Sequence, residues 1–301
     1  MHSCFFFVLL AGGAASLASL ALSKTLYRGA TTSGYLLFHF FIGFLFTALL
    51  NGVFFSAIPF NWRVALVGCA VGLLTSVMMF MMGKALRNGP SGLTFAFQNS
   101  GAILPPLLLA FIFSKPFGFT LSAGNLVGMA LVICGLFFAA ASREQTPIRK
   151  AWIAYALLTF IAQGLILSSF QWRSLLLQEG LPSHVLIPFS CSLTDDLWFM
   201  PALFFSAWLV QALLFSFSEK RLPHFIEIVG GSLGGLANAL STVFILRATL
   251  IATTEKAMLF PLFTVIVILL CNLYGMLFYR EKISWKANGI AALGIIIGTS
   301  F

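Results

Sequence analysis

The sequence predicts an all-α polytopic membrane protein with ten transmembrane helices, arranged as two inverted five-helix repeats. Three observations support this prediction: a shortage of charge, apolar runs of spanning length, and a match between the two halves. Only 8% of the 301 residues are charged and 60% are hydrophobic, with a mean hydropathy of +1.01. A soluble domain contains roughly a quarter charged residues. Lipid must therefore surround most of these side chains.

Apolar runs separated by short polar breaks define the elements. Each run is close to the length of about 20 residues that crosses a bilayer. Since a backbone in lipid must satisfy its own hydrogen bonds, such runs predict helices. Turn-forming residues mark the breaks, at 59–61 and 88–90 around the third run and at 115–118 after the fourth. The predicted spans are 4–23, 33–54, 64–83, 92–113, 121–142, 151–171, 195–217, 225–246, 257–279 and 284–300.

The long hydrophilic stretch from Ser142 to Lys150 divides the chain near its midpoint. It predicts a first five-helix repeat over residues 1–142, a connecting loop over 143–150 and a second five-helix repeat over 151–301. An odd number of helices in each half inverts one half relative to the other. Inverted repeats are the usual architecture of alternating-access carriers.

A short match between the third and eighth spans supports the duplication. The pattern Val-Gly-x3-Gly-x-Leu occurs at residues 67–74 and again at 229–236, an offset of 162. One residue later in register, Lys84-Ala85 corresponds to Arg247-Ala248. Glycines and aliphatic residues are common in membrane helices, so the shared order of these matches carries the argument.

The same offset sets the start of the seventh span at Asp195, which makes residues 172–193 a connector on the membrane surface. Thr194 is then the expected N-cap. Asp195 and Asp196 lie in the first turn, where the helix dipole favours carboxylates. The alternative is that both aspartates face a cavity.

Two junctions resemble a known family. Residues 279–284 (Tyr-Arg-Glu-Lys-Ile-Ser) precede a last span that bears glycines, and residues 84–91 read Lys-Ala-Leu-Arg-Asn-Gly-Pro-Ser. The first is similar to the Gly-Glu-basic-aliphatic-Ser turn, and the second to the Ala-Leu-x-x-Gly-Pro junction, of the drug/metabolite transporter superfamily in its ten-helix EamA-like branch. Residues 114–116 (Ser-Lys-Pro) stand where that family usually has another Gly-Glu turn.

This resemblance implies a central cavity formed largely by the third, fourth, eighth and ninth spans. Cargoes across the superfamily include amino acids, sugars, nucleotide sugars, S-adenosylmethionine and lipophilic drugs, so the resemblance does not select one. It also implies that both termini face the cytoplasm. The positive-inside rule places them outside, because most of the 17 Lys and Arg residues lie in the loops opposite the termini. The orientation therefore stays open.

Polar side chains within the spans are the candidate binding groups, because they are costly in lipid unless they face protein or water. For both the hydroxyls and the carboxamides the alternative is hydrogen bonding between helices. For the acid and the lysine that open the ninth span, it is a cap and a snorkelling anchor. His39 is either hydrogen-bonded packing or a proton relay. The candidate substrate-binding residues are Thr75, Gln98, Asn99, Gln163, Asn238, Ser241, Glu255 and Lys256.

These residues favour a transporter of a small-molecule substrate. All eight acidic residues fall at span ends, which favours facilitated diffusion or exchange over proton or sodium coupling. Uncharged amides and abundant aromatics favour an amino-acid-like or nucleoside-bearing cargo such as S-adenosylmethionine. A broad-specificity drug/metabolite exporter is the alternative. An integral-membrane enzyme is a distant third, because the four histidines are isolated and no nucleophile–base pair stands out.

The net charge of +9 indicates contact with membrane lipid rather than nucleic acid. The basic residues are scattered at span ends and form no stripe interleaved with aromatics. We expect no metal and no cofactor. The composition and the resemblance together place the protein in a bacterial inner membrane.

Overall fold

Helices follow the apolar runs throughout the part of the chain that the structure describes. The structure, a computed structural model, describes residues 2–52, 59–89, 91–113, 117, 121–141, 150–178, 184–251 and 256–279, with 286, 289–290, 293–294 and 297. Within these residues the chain is helical or forms short connections, and it contains no strand. Seven of the described helices are long and apolar enough to cross a membrane. The prediction of an all-α membrane protein is therefore confirmed.

Ten α-helices and two longer 3-10 turns carry the fold in the described residues. The 3-10 turns are Gly101–Ile103, between α4 and α5, and Asp195–Trp198, before α8. The helices are α1 (His2–Tyr27), α2 (Thr32–Leu50), α3 (Trp62–Asn88), α4 (Ser91–Ser100), α5 (Leu104–Phe113), α6 (Ala123–Ala141), α7 (Lys150–Leu176), α8 (Phe199–Ser218), α9 (Phe225–Ile251) and α10 (Lys256–Tyr279). The tenth predicted span, 284–300, lies mostly outside the described residues.

The predicted fourth span is two short helices rather than one. Pro105 and Pro106 open α5, and neither has an N–H to continue the hydrogen bonds of α4. The 3-10 turn in front of them brings Gly101 so close to α7 that a Cβ on it would collide with the carbonyl oxygen of Phe160. The hydroxyl of Thr264 donates to the carbonyl oxygen of Asn99 at 2.8 Å. A neighbouring helix thus helps to satisfy the backbone at the break, as lipid requires.

Glycine lets α3 and α8 run side by side in the same direction. A Cβ on Gly68 would collide with the carbonyl oxygen of Phe199, and one on Gly72 with that of Leu203. Further along, the amide of Gln211 donates to the hydroxyl of Ser76 at 2.6 Å. Small residues four apart allow helix backbones to touch in this way.

A second parallel pair, α2 and α9, is built on the same spacing. A Cβ on Gly231 would collide with the carbonyl oxygen of Tyr35, and one on Gly235 with that of His39. Because α9 follows α8 through the short connection at 219–224, the two parallel pairs run in opposite directions. Phe40 of α2 lies beside Phe204 of α8 where the pairs meet, with ring centroids 6.5 Å apart.

The start of the seventh span differs from its prediction in two respects. Thr194 makes no side-chain cap hydrogen bond. Instead Ser192 and Asp195 bond reciprocally: the Ser192 hydroxyl accepts from the Asp195 N–H at 3.1 Å, and an Asp195 carboxylate oxygen accepts from the Ser192 N–H at 3.0 Å. This is the geometry of a capping box. In addition, α7 continues to Leu176, so the connector is shorter than predicted.

We expect Gly72→Ala to lower the free energy of unfolding by about 1–3 kcal/mol, because the added methyl group has no space beside the Leu203 carbonyl. Gly13→Ala is the matched control, since nothing lies within 4 Å of a Cβ at Gly13. Thermal unfolding of both variants in detergent measures the difference. Equal midpoints for the two variants would show that α3 and α8 do not pack as described.

Candidate functional site

Three polar side chains lie at the centres of three long helices. Thr75, Gln163 and Asn238 are each the central residue of a 27-residue helix, α3, α7 and α9 respectively. At 1.5 Å per residue, each lies roughly 20 Å from either end of its helix. Polar groups at this depth are costly unless protein or water surrounds them.

Each of these helices presents one stripe of four residues to the same space. The stripes start at the central residue and continue at the third, fourth and seventh positions after it, which share one helix face. They are Thr75, Met78, Met79 and Met82; Gln163, Ile166, Leu167 and Phe170; and Asn238, Ser241, Thr242 and Ile245. Because α3 and α9 run in opposite directions, their stripes extend from the centre toward opposite faces of the membrane.

The stripes enclose a central cavity of about 90 Å³. The other helices complete its wall with Ala15, Ala18, Ser19, Gln98, Asn99, Leu203, Phe204 and Phe263. Six of the eight predicted binding residues line this cavity: Thr75, Gln98, Asn99, Gln163, Asn238 and Ser241. Glu255 lies outside the described residues. Lys256 opens α10, and its side chain is also outside the description.

Carboxamides dominate one wall of the cavity. The Gln98 amide donates to the side-chain oxygen of Gln163 at 3.4 Å and contacts the sulfur of Met78 at 3.6 Å. The Asn99 amide donates to the carbonyl oxygen of Phe95 at 2.8 Å. The break between α4 and α5 follows immediately, so the irregular backbone at Gly101 adjoins the cavity-lining amides.

The hydroxyls of the cavity have partners in the helices. Thr75 donates to the carbonyl oxygen of Val71 at 2.8 Å, and Ser241 donates to that of Ala11 at 2.9 Å. The second bond joins α9 to α1, which is the packing role considered for this residue. In contrast, the Asn238 side chain makes no hydrogen bond to the described residues. Asn238 is thus the polar group most available to a bound molecule.

The predicted set missed the sulfur and aromatic part of the cavity wall. Met78, Met79 and Met82 follow Thr75 on one helix face, and Phe170 ends the stripe of Gln163. Following the helical period from each central polar residue would have found them. A search for polar residues alone could not. Ser19 was missed as well.

Ionisable side chains are absent from the described lining of the cavity. The described residues also contain no group of three His, Cys, Asp or Glu side chains that could hold a metal. His39, the candidate relay, is fully buried between α2 and α9 and does not line the cavity. Its Nδ1 lies 3.2 Å from the Tyr35 hydroxyl. This position corresponds to packing rather than to contact with a molecule in the cavity.

One charged cluster joins helix ends on the face where α1 ends and α9 begins, hereafter the Arg221 face. Glu227 is fully buried there and accepts hydrogen bonds from Arg221 at 2.7 and 2.9 Å and from the Thr31 N–H at 2.9 Å. Arg221 also pairs with Glu219, which accepts from the Ser33 hydroxyl at 2.9 Å. Hydrogen bonds to a charged group are the strong ones. The cluster therefore holds α2 against the start of α9.

A second charged pair lies on the opposite face, hereafter the Arg173 face. The guanidinium of Arg173, at the end of α7, forms an ion pair with Asp196, and the two side chains are 5% and 10% exposed. The guanidinium also stacks on Phe199, 5.0 Å from its centroid. Asp196 thus lies in the first turn of the seventh span, as predicted, and does not line the cavity; its partner Arg173 was not predicted.

Comparisons with known proteins show the fold and no more. Neither a family model nor a curated protein matches the chain. Among solved structures, 28 chains match. One of them, named only "Crystal structure of protein", superposes with a TM-score of 0.68. The match covers 100% of this chain and 96% of that chain. Its sequence identity of 15% means that the likeness concerns the fold alone.

The burial of the Arg173–Asp196 ion pair predicts how its variants change the free energy of unfolding. Asp196→Leu should lower the free energy of unfolding by about 3–5 kcal/mol, because it leaves a buried guanidinium without its counter-charge. The double variant Arg173→Met with Asp196→Leu should recover most of that loss, since no charge remains to be compensated. Thermal unfolding of the wild type, Arg173→Met, Asp196→Leu and the double variant forms a double-mutant cycle. Additive losses would rule out the pairing.

Proposed function

We propose that this chain is an alternating-access transporter that carries a small, uncharged polar metabolite by facilitated diffusion or exchange across a bacterial inner membrane. The observation that carries the proposal is the central cavity. It is lined by carboxamides and hydroxyls at the middle of three spanning helices, and a separate charged cluster lies at each face. A purely structural membrane protein has no need to group polar side chains around a cavity at that depth.

The arrangement of α3 and α9 supports the inverted-repeat architecture on which alternating access commonly rests. Both helices have 27 residues, and both ends are related by an offset of 163, from 62 to 225 and from 88 to 251. The same offset relates Gly68 to Gly231, Gly72 to Gly235 and Thr75 to Asn238. Each helix uses its glycines to pack in parallel on the second helix of the other half. These correspondences, with the two junction motifs, favour membership of the drug/metabolite transporter superfamily.

The offset of 163 that relates α3 to α9 is one residue larger than the offset of 162 from the sequence pattern. The pattern at 67–74 aligned Gly68 with Gly230 at an offset of 162. In the structure Gly230 packs against Thr25 of α1, whereas Gly231 packs against the backbone of α2. Gly231 is therefore the packing equivalent of Gly68, and one offset accounts for the glycines and the central polar residues together.

The chemistry of the cavity wall favours a cargo without net charge. A charged group moved into an apolar interior needs a paired charge, and the described lining offers none. Asn238, Gln98 and Gln163 offer amide donors and acceptors, and three phenylalanines offer faces for stacking. A nucleoside or a similar heterocycle fits this set better than S-adenosylmethionine or an amino acid, whose charges have no partner among the described lining residues.

The two charged clusters provide the seals that alternating access requires. Opening toward the Arg221 face would break the hydrogen bonds that Thr31 and Ser33, before and at the start of α2, donate to Glu227 and Glu219. Opening toward the Arg173 face would separate the end of α7 from the start of α8. The break between α4 and α5 supplies a bend beside Gln98 and Asn99, and 3-10 segments within helices often mark such hinges.

A broad-specificity exporter is the second candidate, and the Met stripe of α3 favours it. Methionine side chains adapt their shape to different partners and are used at promiscuous binding surfaces. The two candidates differ in how many unrelated compounds they move.

Counterflow in proteoliposomes of the purified chain tests the proposal. The screen covers labelled nucleosides, amino acids, S-adenosylmethionine, sugars and several unrelated lipophilic cations. Saturable movement of a neutral nucleoside-like compound, accelerated by the same compound inside, is the expected result. Movement of several unrelated lipophilic cations would favour the broad-specificity exporter over the metabolite transporter. Strict dependence on an imposed pH gradient would contradict facilitated diffusion, and movement of none of the compounds would contradict the proposed cargo class.

Asn238→Ala should lower kcat/KM for transport about tenfold, the upper range for one lost hydrogen bond, and leave the thermal midpoint unchanged. The reason is that its side chain bonds to no described residue. Thr249→Val is the control on the same helix. Thr249 is buried away from the cavity, and its hydroxyl donates only to the carbonyl oxygen of Leu246 in α9. Equal transport by both variants would remove Asn238 from the binding site.

A further inference from the structure

A second cavity of about 280 Å³ lies outside the transport pathway, between the end of α1 and the start of α9. It opens at the Arg221 face, where both helices reach the membrane surface. Two cations, Lys24 and Arg28, line its α1 side one helical turn apart. Its α9 side is apolar, with Phe225, Val229 and Leu233 among the lining residues. The proposed function does not use this cavity.

The shape of the groove follows from one close contact. Gly230 packs on Thr25 so tightly that a Cβ would collide with the threonine hydroxyl. Helices that touch at this point leave a cleft on the outer side of the contact. Its apolar wall is open to the surroundings, since Phe225 is 78% and Leu233 is 62% exposed.

The charges in the groove are unbalanced. Carboxylates are absent from its described lining, and neither Lys24 nor Arg28 forms an ion pair within the part of the chain that the structure describes. Lys24 rests over the ring of Phe278, 4.9 Å from its centroid, which steadies the ammonium without neutralising it. The nearby acid, Glu227, is already bonded to Arg221.

We infer that this groove is a binding site for the headgroup of an anionic phospholipid. Two cations at the depth of the headgroups match a phosphodiester, and basic pockets between spanning helices bind such headgroups. The apolar wall of α9 matches the glycerol and the upper acyl chain. A soluble anion would satisfy the cations but would leave that wall exposed, so the lipid is the better occupant.

Native mass spectrometry of the full chain in detergent tests the inference, with phosphatidylglycerol compared with phosphatidylcholine of the same acyl chains. The wild type should retain phosphatidylglycerol preferentially. Lys24→Gln with Arg28→Gln should weaken that binding about thirty-fold, from the usual contribution of a basic residue near an anionic surface. The control, Lys84→Gln with Lys220→Gln, removes the same charge from the same face and should leave the affinity unchanged. Equal losses in both double variants would mean diffuse attraction and overturn the site.

A third variant separates shape from charge. Val229→Trp keeps both cations and fills the groove, so it should also weaken phosphatidylglycerol binding; unchanged binding would place the lipid elsewhere. Inorganic phosphate in large excess should not displace the lipid, and displacement would reassign the site to a free anion. Size-exclusion profiles confirm that each variant is folded. Equal retention of the two lipids by the wild type would overturn the inference directly.

Discussion

Backbone contact between parallel helices is the constraint on which this structure depends. In lipid, helices gain no hydrophobic energy by associating, so they associate through close packing and hydrogen bonds. Gly68 and Gly72 provide this contact for α3, and Gly231 and Gly235 provide it for α9. The two contacts fix the rotation of both helices about their axes. That rotation turns Thr75 and Asn238 toward the same interior space.

Hydrogen bonding inside the protein separates the polar residues that hold helices together from those available to a ligand. Ser241 and Gln211 form hydrogen bonds between helices, and the hydroxyl of Thr264 donates to the backbone of Asn99 at the break after α4. Asn238 has no such bond to the described residues, although it lies at the centre of a spanning helix. Its amide is half-buried at the cavity wall, where it is accessible to a molecule in the cavity.

Part of the fold and of the candidate site was predictable from the sequence, and the remainder was not, for physical reasons. The spans and the intramembrane polar residues were predictable because lipid makes polarity conspicuous. The glycines of α9 that pack on α2 were not, because glycines occur in adjacent pairs at 230–231 and 234–235 and only the structure shows which one touches a backbone. Pro105 and Pro106 signalled the break after α4, but hydropathy alone hid it. The partner of Asp196 required tertiary structure, since Arg173 lies on another helix.

The most direct test of the central claim is the accessibility of the cavity from each face. Thr75→Cys, in a chain whose five native cysteines are replaced, is treated with a membrane-impermeant thiol reagent in right-side-out and in inside-out vesicles. The account predicts labelling from both faces, because alternating access exposes the central residue to each in turn. Labelling from one face alone would indicate a dead-end pocket, and would contradict the transporter.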